Sequence, residues 1–326
     1  MDILVRPFYT KNNTNVIKWI NTLLLDLSDR IEELRDTINN SNTNNKKFLI
    51  ETRRRVVSLR NLHSKLTLIT ETWSESEYLF ETSKDGITFM PLKVNKLSNH
   101  LFKYADKIIL MSATIIDPSN FCKSLGIDKF KYVEAESSFN ASDSPIYCNT
   151  KVKLNYHNIA RNLPKVIDQI KQICKAHSQD KGIIHTHNNN ITNQLATAVK
   201  ESRFLIREPG VRNELLLEQH AESPDPTVLI SPSMSHGVDL KDDLARFQII
   251  VKAPFLPIRD TRIEKLMKNN YDWYVNKMLC ALIQSCGRGV RSKKDHCITY
   301  ILDGAIVESV INNKHKLPKY FLDRFS

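Results

Sequence analysis

Glycine is scarce in this chain, with eight in 326 residues, at positions 86, 126, 182, 210, 237, 287, 289 and 304. No two of them frame a G-x-x-x-x-G-K-[ST] run, so the sequence contains no loop of its own to cradle the phosphates of a nucleotide. No Asp-Glu-x-His or equivalent acidic run is present either, which leaves no evident ligand pair for Mg²⁺. Long apolar runs are also missing. Segments such as 107–116 and 247–251 fall far short of the ~18 to 20 residues needed to cross a bilayer. The first residues, Met-Asp-Ile-Leu-Val-Arg-Pro, contain an acid at position 2 and no apolar h-region, so they do not read as a signal peptide. A chain of this kind is expected to stay in the cytosol, in the host cytoplasm if it is viral, with no membrane partner.

Cysteine is sparse and scattered. Residues 122, 148, 174, 280, 286 and 297 form no C-x-x-C pair and stand with no histidine at zinc-finger spacing. In a reducing compartment they read as free thiols, which supports neither a structural metal nor an iron–sulfur cluster. With 41% hydrophobic and 25% charged residues, the composition is that of an ordinary globular protein. Its length suggests about two domains on the prior of ~100 to 200 residues each. The formal charge of +11 is compatible with a polyanionic partner, nucleic acid above all, because Lys and Arg neutralise phosphates and release counterions.

Apolar residues Val16, Ile20, Leu23, Leu27, Ile31, Leu34 and Ile38 recur at three- and four-residue steps, the signature of an amphipathic helix. The Asn-rich stretch 39–45 breaks that pattern. Leu49, Thr52, Val56, Leu59, His63 and Leu66 then mark a second helix, giving a helical hairpin. His63 reads as an interface histidine with its bonds satisfied. Arg53, Arg54 and Arg55 belong to a local excess of +5 over residues 30–65, either lining a nucleic-acid path or forming a solvated helix face. Beyond residue 75, short strand-like runs appear, among them Lys107–Met111, expected as a compact strand ending at Ser112, Ala113 and Thr114.

From about residue 155, strand candidates (182–186, 204–207, 228–231, 247–253, 298–302) alternate with helical stretches (158–176, 191–200, 211–220, 260–268, 271–291). This pattern predicts an α/β fold with a mostly parallel sheet flanked by helices. Ligands of such sheets bind at the carboxyl ends of the strands, in the turns that lead to the next helix.

The sharpest constellation is Gln284-Ser-Cys-Gly-Arg-Gly-Val-Arg291. On a continuous helix, Gln284, Arg288 and Arg291 project from one face. Two guanidinium forks beside an amide suit a triphosphate, and Gly287 and Gly289 keep the neighbouring surface thin. The run resembles motif VI of superfamily 2 helicases. Ser231-Pro-Ser-Met-Ser-His-Gly-Val-Asp239 is similar to motif V, with His236 where that family has an acid. Gly182-Ile-Ile-His-Thr-His-Asn188 is similar to motif IV, and Ser112-Ala-Thr114 to motif III. The stretch from Phe247 through Ala253-Pro-Phe-Leu-Pro257 resembles the XPD/DinG branch.

The resemblance covers residues 75–326. It implies a RecA-like helicase C-terminal domain over 146–326, the end of motor domain 1 and a linker over 76–145, and a remnant of an arch-like insertion in the hairpin, residues 1–75. It further implies an ATP-dependent DNA helicase in which Arg288, Arg291 and Gln284 face the γ-phosphate and Gly237, Asp239 and Gly287 border the nucleotide. Thr186, Asn188, Ser233 and Ser235 would touch single-stranded DNA, and Ser112, Ala113 and Thr114 would couple hydrolysis to strand movement. Arginine fingers stabilise charge that a P-loop lysine and Mg²⁺ must first position. The missing cradle therefore implies a separate Walker-bearing chain that completes the ATP site and contributes its Mg²⁺. Two alternatives stay open: a non-catalytic single-strand-binding helicase remnant, and a truncated gene product.

Overall fold

The computed structural model describes residues 16–40, 45–83, 86–148, 150–206, 212–232, 240–290, 292 and 295–326. The chain divides into two compact units, one holding residues up to Ile108 together with Cys122–Asp128, the other holding Ile109–Phe121 and Lys129–Ser326.

The first unit begins with the expected hairpin, α1 (Val16–Asn40) and α2 (Lys46–Thr72). Asn45 caps α2 by accepting from the Phe48 amide at 3.1 Å, which satisfies one of the donors that a helix start leaves unpaired. Val16, Ile20, Leu27 and Leu66 bury the facing stripes against Trp73, Phe80 and Phe89. A second cluster of Ile31, Leu34 and Val56 closes the other end. His63 bonds Ser28 through Nε2 at 3.1 Å, which makes it the satisfied interface residue its place on the stripe predicts. An antiparallel ribbon follows, β1 (Tyr78–Ser83) with β2 (Gly86–Pro91), and then α3 (Asn95–Phe102). The short helix α4 spans Pro118–Ser124.

The second unit is built on a six-stranded sheet of β3 (Ile146–Tyr147), β4 (Gly182–His185), β5 (Phe204–Ile206), β6 (Val228–Ser231), β7 (Phe247–Ile250) and β8 (Ile298–Ile301). The order is β3-β8-β7-β4-β6-β5, and every pairing is parallel. Its connections carry α5 (Ile159–Ala176), α6 (Asn189–Ala198), α7 (Asn213–Glu222), α8 (Thr261–Asn269) and α9 (Tyr271–Cys286), while α10 (Gly304–Asn312) and α11 (Lys319–Leu322) follow the last strand. Strands β4, β6 and β7 are buried at every position, as a parallel sheet covered on both faces requires. One face packs Leu163, Val166, Ile170, Ile191 and Leu195 on Ile184, Ile230 and Ile249. The other packs Met278, Leu279 and Leu282 on Ile250 and Ile301. The predicted α/β class and five of its strands are present.

Gly182 shows how closely β4 and β7 approach. It is in register with Phe247, and a Cβ there would overlap the Phe247 ring. That ring stacks in turn on His177 at 4.4 Å. Edge strand β3 is covered by the chain end, since Ile146 donates to Arg324 O at 2.7 Å and Ser326 donates to Ile146 O at 3.1 Å.

Two expectations are corrected. Residues 107–111 form no strand, because among the described residues nothing pairs with them and a strand without a ladder is unstable in water. Helix α9 ends at Cys286 rather than running to 291. Its last bond goes from Gly287 N to Ile283 O at 3.0 Å. Beyond that point Gly289 lies so close to Cys297 that a Cβ would overlap the sulfur, an approach that a continuing helix would not make.

Candidate functional site

The carboxyl ends of the parallel strands and the end of α9 lie in the same unit and carry most of the described site residues. Gln284 sits in the last turn of α9 and is half-buried. Its Nε2 donates to Thr114 Oγ1 at 3.0 Å. One turn earlier, the Cys280 thiol donates to Thr114 O at 3.3 Å, and Tyr320 Oη donates to Ala113 O at 3.1 Å. Ile116 is buried with Met278, Leu279 and Ile283. The Ser-Ala-Thr segment is thus pinned to the helix that leads to Arg288. Ser112 accepts from the Thr114 amide at 3.2 Å, forming a small turn of its own.

Arg288 lies in the turn after α9 and is half-buried, while Gly287 beside it is exposed. Gln284 and Arg288 therefore do not share one helix face; Arg288 is presented by the turn. That turn is held from below, because the carbonyl of Cys286 accepts from Gln248 Nε2 at 2.9 Å and from the buried Arg324 guanidinium at 3.0 Å. Gln248 also bonds Thr299 at 2.7 Å, and Arg324 reaches Ser144 O at 2.7 Å. A cation at the carbonyl end of a helix complements its partial negative charge. Sequence reasoning missed both supports: Gln248 sits within an apolar strand pattern, and Arg324 lies 36 positions beyond Arg288.

At the end of β4, His185 is buried and neither ring nitrogen has a hydrogen-bond partner among the described residues. Burial, then the charges of His187 and Arg288, push its pKa down to about 3. It therefore stays neutral beside the arginine. His187 stacks on it at 5.9 Å from a left-handed backbone, φ 50°, which marks the sharp turn into α6. Thr186 is fully buried with its hydroxyl 2.6 Å from that of Thr192. Asn188 caps α6 by accepting from Ile191 N at 3.0 Å. These two side chains shape the turn and fix the helix start, and the first amides of α6 are what the turn offers to an anion.

Asp303, at the end of β8, was not foreseen either. This buried carboxylate accepts from the amides of Leu154, Ala253 and Ala305 at 3.2, 3.0 and 3.0 Å. It ties the Ala253-Pro-Phe segment to the sheet and caps α10. Ser233, Ser235, Gly237, Asp239 and Arg291 lie outside the described residues. To a triphosphate the described part of the site offers one guanidinium on an exposed glycine turn. That fits one face of a phosphoryl group. Among the described residues no group of three or more His, Cys, Asp and Glu could hold a metal ion. The six cysteines are free, and burial pushes Cys286 and Cys297 up to about 11 and about 12, so both remain thiols. No helix among the described residues is long and apolar enough to cross a membrane.

Residues 170–322 match the family model described as the helicase C-terminal domain. Over those residues the chain is similar to the C-terminal domain of helicases. It is 25% identical over 296 residues to the ATP-dependent DNA helicase CHL1 of Scheffersomyces stipitis, covering 74% of this chain and 35% of that one. A solved structure titled XPD helicase superposes with a TM-score of 0.58 at 16% identity, over 94% of this chain and 55% of that one. A second, titled as XPD in its apo form, gives 0.55 at 16% identity over 92% and 73%. The chain thus spans about a third of the curated relative and about half of the first solved structure. Within the matched residues the turn of Arg288 follows α9, and the Ser-Ala-Thr segment is bonded to that helix through Gln284 and Cys280.

Proposed function

We propose that this chain contributes the arginine side of an ATP site in a DNA helicase, and that the phosphate-cradling loop and acidic pair come from outside this sequence, on a separate Walker-bearing chain. The observation that carries the reading is the bond from Gln284 to Thr114, which joins the Ser-Ala-Thr segment to the turn holding Arg288. Bound ATP brings the phosphoryl group to be transferred, and Mg²⁺ held by the partner's acids would neutralise its phosphate oxygens. Arg288 then lies against the γ-phosphate and stabilises the charge that develops as its bond to the β-phosphate breaks. The second arginine of this pair is Arg291. Gln284 reports the occupancy of the site to Thr114, and Gly237 and Asp239 pass it to the strand-holding loops at Ser233 and Ser235. Neutral His185 adds no competing positive charge beneath Arg288, so the guanidinium is the group that meets the phosphate.

The test is DNA-stimulated ATP hydrolysis. The chain alone is expected to show none. Activity should appear with the Walker-bearing partner and fall ~10³-fold or more in Arg288→Ala, the usual scale for an arginine finger. Hydrolysis by the isolated chain would overturn the reading. So would single-strand DNA binding that is salt-sensitive but unchanged by ATP in the reconstituted pair, which would instead identify a non-catalytic remnant.

A further inference from the structure

The turn of Arg288 is held a second time, through Gly289. A Cβ on this glycine would overlap Cys297 and press on the Ala245 carbonyl, so the turn sits between the two segments that lead into the neighbouring strands β7 and β8. One of them, 240–246, begins one residue after Asp239. The other, 295–297, begins with a buried carboxylate, Asp295. Asp295 joins the two. Its Oδ1 accepts from Arg246 Nη1 at 2.7 Å and its Oδ2 from the Asp242 amide at 3.2 Å. Arg246 also donates to His296 O at 3.2 Å and to the Asp243 carboxylate at 3.0 Å. The Asp295 side chain is fully enclosed, whereas that of Asp243 is 90% exposed. The outer pair is therefore worth little, while loss of the inner carboxylate would strand the guanidinium without its enclosed partner. Asp242 itself holds a left-handed backbone, φ 57°, which a non-glycine residue adopts at a cost and keeps only where its surroundings impose it. Asp242 is exposed, so packing contributes little, and the bond from its amide to Asp295 is the restraint that ties it to the interior.

We propose that Asp295 is a positioning residue for Arg288, and that Asp242 is the hinge it holds. The carboxylate locks 240–246 to 295–297, Gly289 fits between them, and the arginine turn is thereby set in one place. Asp295 does not meet the phosphate and acts through the packing of Gly289. Because Gly289 has no room to move past Ala245 or Cys297, a turn displaced by a phosphate must carry 240–246 with it. The strained backbone at Asp242 is where that displacement is absorbed, the usual place of such outliers in switch segments. A brace that only stabilised the fold would require neither the left-handed residue nor the close approach of the glycine.

The inference rests on Arg288 meeting the γ-phosphate, and its test has one arm with ATP and one without. Asp295→Asn keeps the shape of the side chain and one acceptor oxygen, which cannot serve both Arg246 and the Asp242 amide. In DNA-stimulated ATP hydrolysis with the Walker-bearing partner, kcat should fall about 10- to 100-fold, the scale of a misplaced catalytic group, with KM for ATP nearly unchanged. Asp242→Gly supplies a residue that takes the left-handed conformation freely. In the Asp295→Asn background it should recover most of the lost kcat. It should also raise the melting temperature there by more than in the wild-type background, because only there has the hinge been released. Arg246→Lys, which keeps a cation but gives up the guanidinium fork, carries the same comparison if Asp295→Asn does not fold. A melting temperature that falls in Asp295→Asn while kcat holds its wild-type value would reduce Asp295 to a brace and overturn the proposal. An Asp242→Gly effect of equal size in both backgrounds would overturn it too. If the wild-type pair hydrolyses no ATP, the shared-site reading fails by itself and the melting arm decides alone: unequal effects of Asp242→Gly uphold the lock between Asp295 and Asp242, and equal effects remove it.

Discussion

Strand β4 and the segment 107–111 are almost the same peptide chemically, Gly-Ile-Ile-His against Ile-Ile-Leu-Met, yet one is wholly buried in a sheet and the other lies open. β4 has β6 on one side and β7 on the other, in register along its length. Segment 107–111 has neither neighbour among the described residues. Apolar sequence therefore supplies the tendency to form a strand, and pairing decides whether it is realised. The sharpest way to break the comparison is to truncate one side chain in each region. Phe247→Ala, on the strand beside β4, removes a fully buried ring and should cost about 3 to 5 kcal/mol in urea unfolding. Ile109→Ala should change stability by less than about 0.5 kcal/mol, the range of surface substitutions. Equal costs would mean that 107–111 is packed after all.

A second contrast concerns polar groups. At the strand ends the sheet closes its own amides with Asp303, while Thr114 takes two bonds from α9 and Ala113 one from α11. Asp303→Ala would strip three buried amides of their acceptor, and a cost of about 2 to 4 kcal/mol follows from leaving such groups unsatisfied. Asp303→Asn keeps an acceptor oxygen and should recover part of it. A full-length melt of both variants checks the order.

Much of this was legible from the sequence because it depends on local pattern. The hairpin follows from 3.6-residue periodicity, and the parallel sheet from the alternation of short apolar runs with amphipathic helices. Where the sequence misled, a contact outside the run itself decided. The spacing of Gln284, Arg288 and Arg291 reads as one helix face, but the approach of Gly289 to Cys297 ends the helix before the first arginine. Residues 107–111 read as a strand, and the missing neighbour is invisible in the run itself. Thr186 and Asn188, singled out for contacts with single-stranded DNA, have side chains that also shape the turn and cap α6. Gln248, Arg324 and Asp303 were not legible, because their partners lie 38, 38 and up to 149 positions away.

Acid sharpens the comparison within the sheet itself. His185 is buried with no hydrogen-bond partner among the described residues, and His220 is buried between Thr227 at 2.7 Å and Leu244 O at 2.8 Å. Burial lowers both pKa values in the fold. The unfolded chain takes up these protons below about pH 6.5 and the folded chain does not, so stability falls as pH drops through that value. Each histidine adds a slope of up to about 1.4 kcal/mol per pH unit, extending toward pH 3 for His185. Above pH 6.5 both are neutral in either state and the contribution vanishes. His185→Phe should flatten the acid limb of a stability profile, and a limb of unchanged slope would show that His185 is protonated in the fold.

The smallest effect is the most informative about coupling. Thr114→Val removes the acceptor of Gln284 Nε2 while keeping the shape of the side chain, and Gln284→Leu removes the donor. Each bond of this kind contributes about 0.5 to 1.5 kcal/mol to stability, and in a half-buried place the lower end is expected. The double variant should then cost less than the sum of the single ones, because both lose the same bond. If the bond carries a signal between the Ser-Ala-Thr segment and the turn of Arg288, Thr114→Val in the reconstituted pair should lower DNA stimulation of ATP hydrolysis while leaving the basal rate unchanged. A bond that merely fastens 113–116 to α9 would give the same non-additivity in melting and no change in stimulation, so the two measurements separate attachment from coupling.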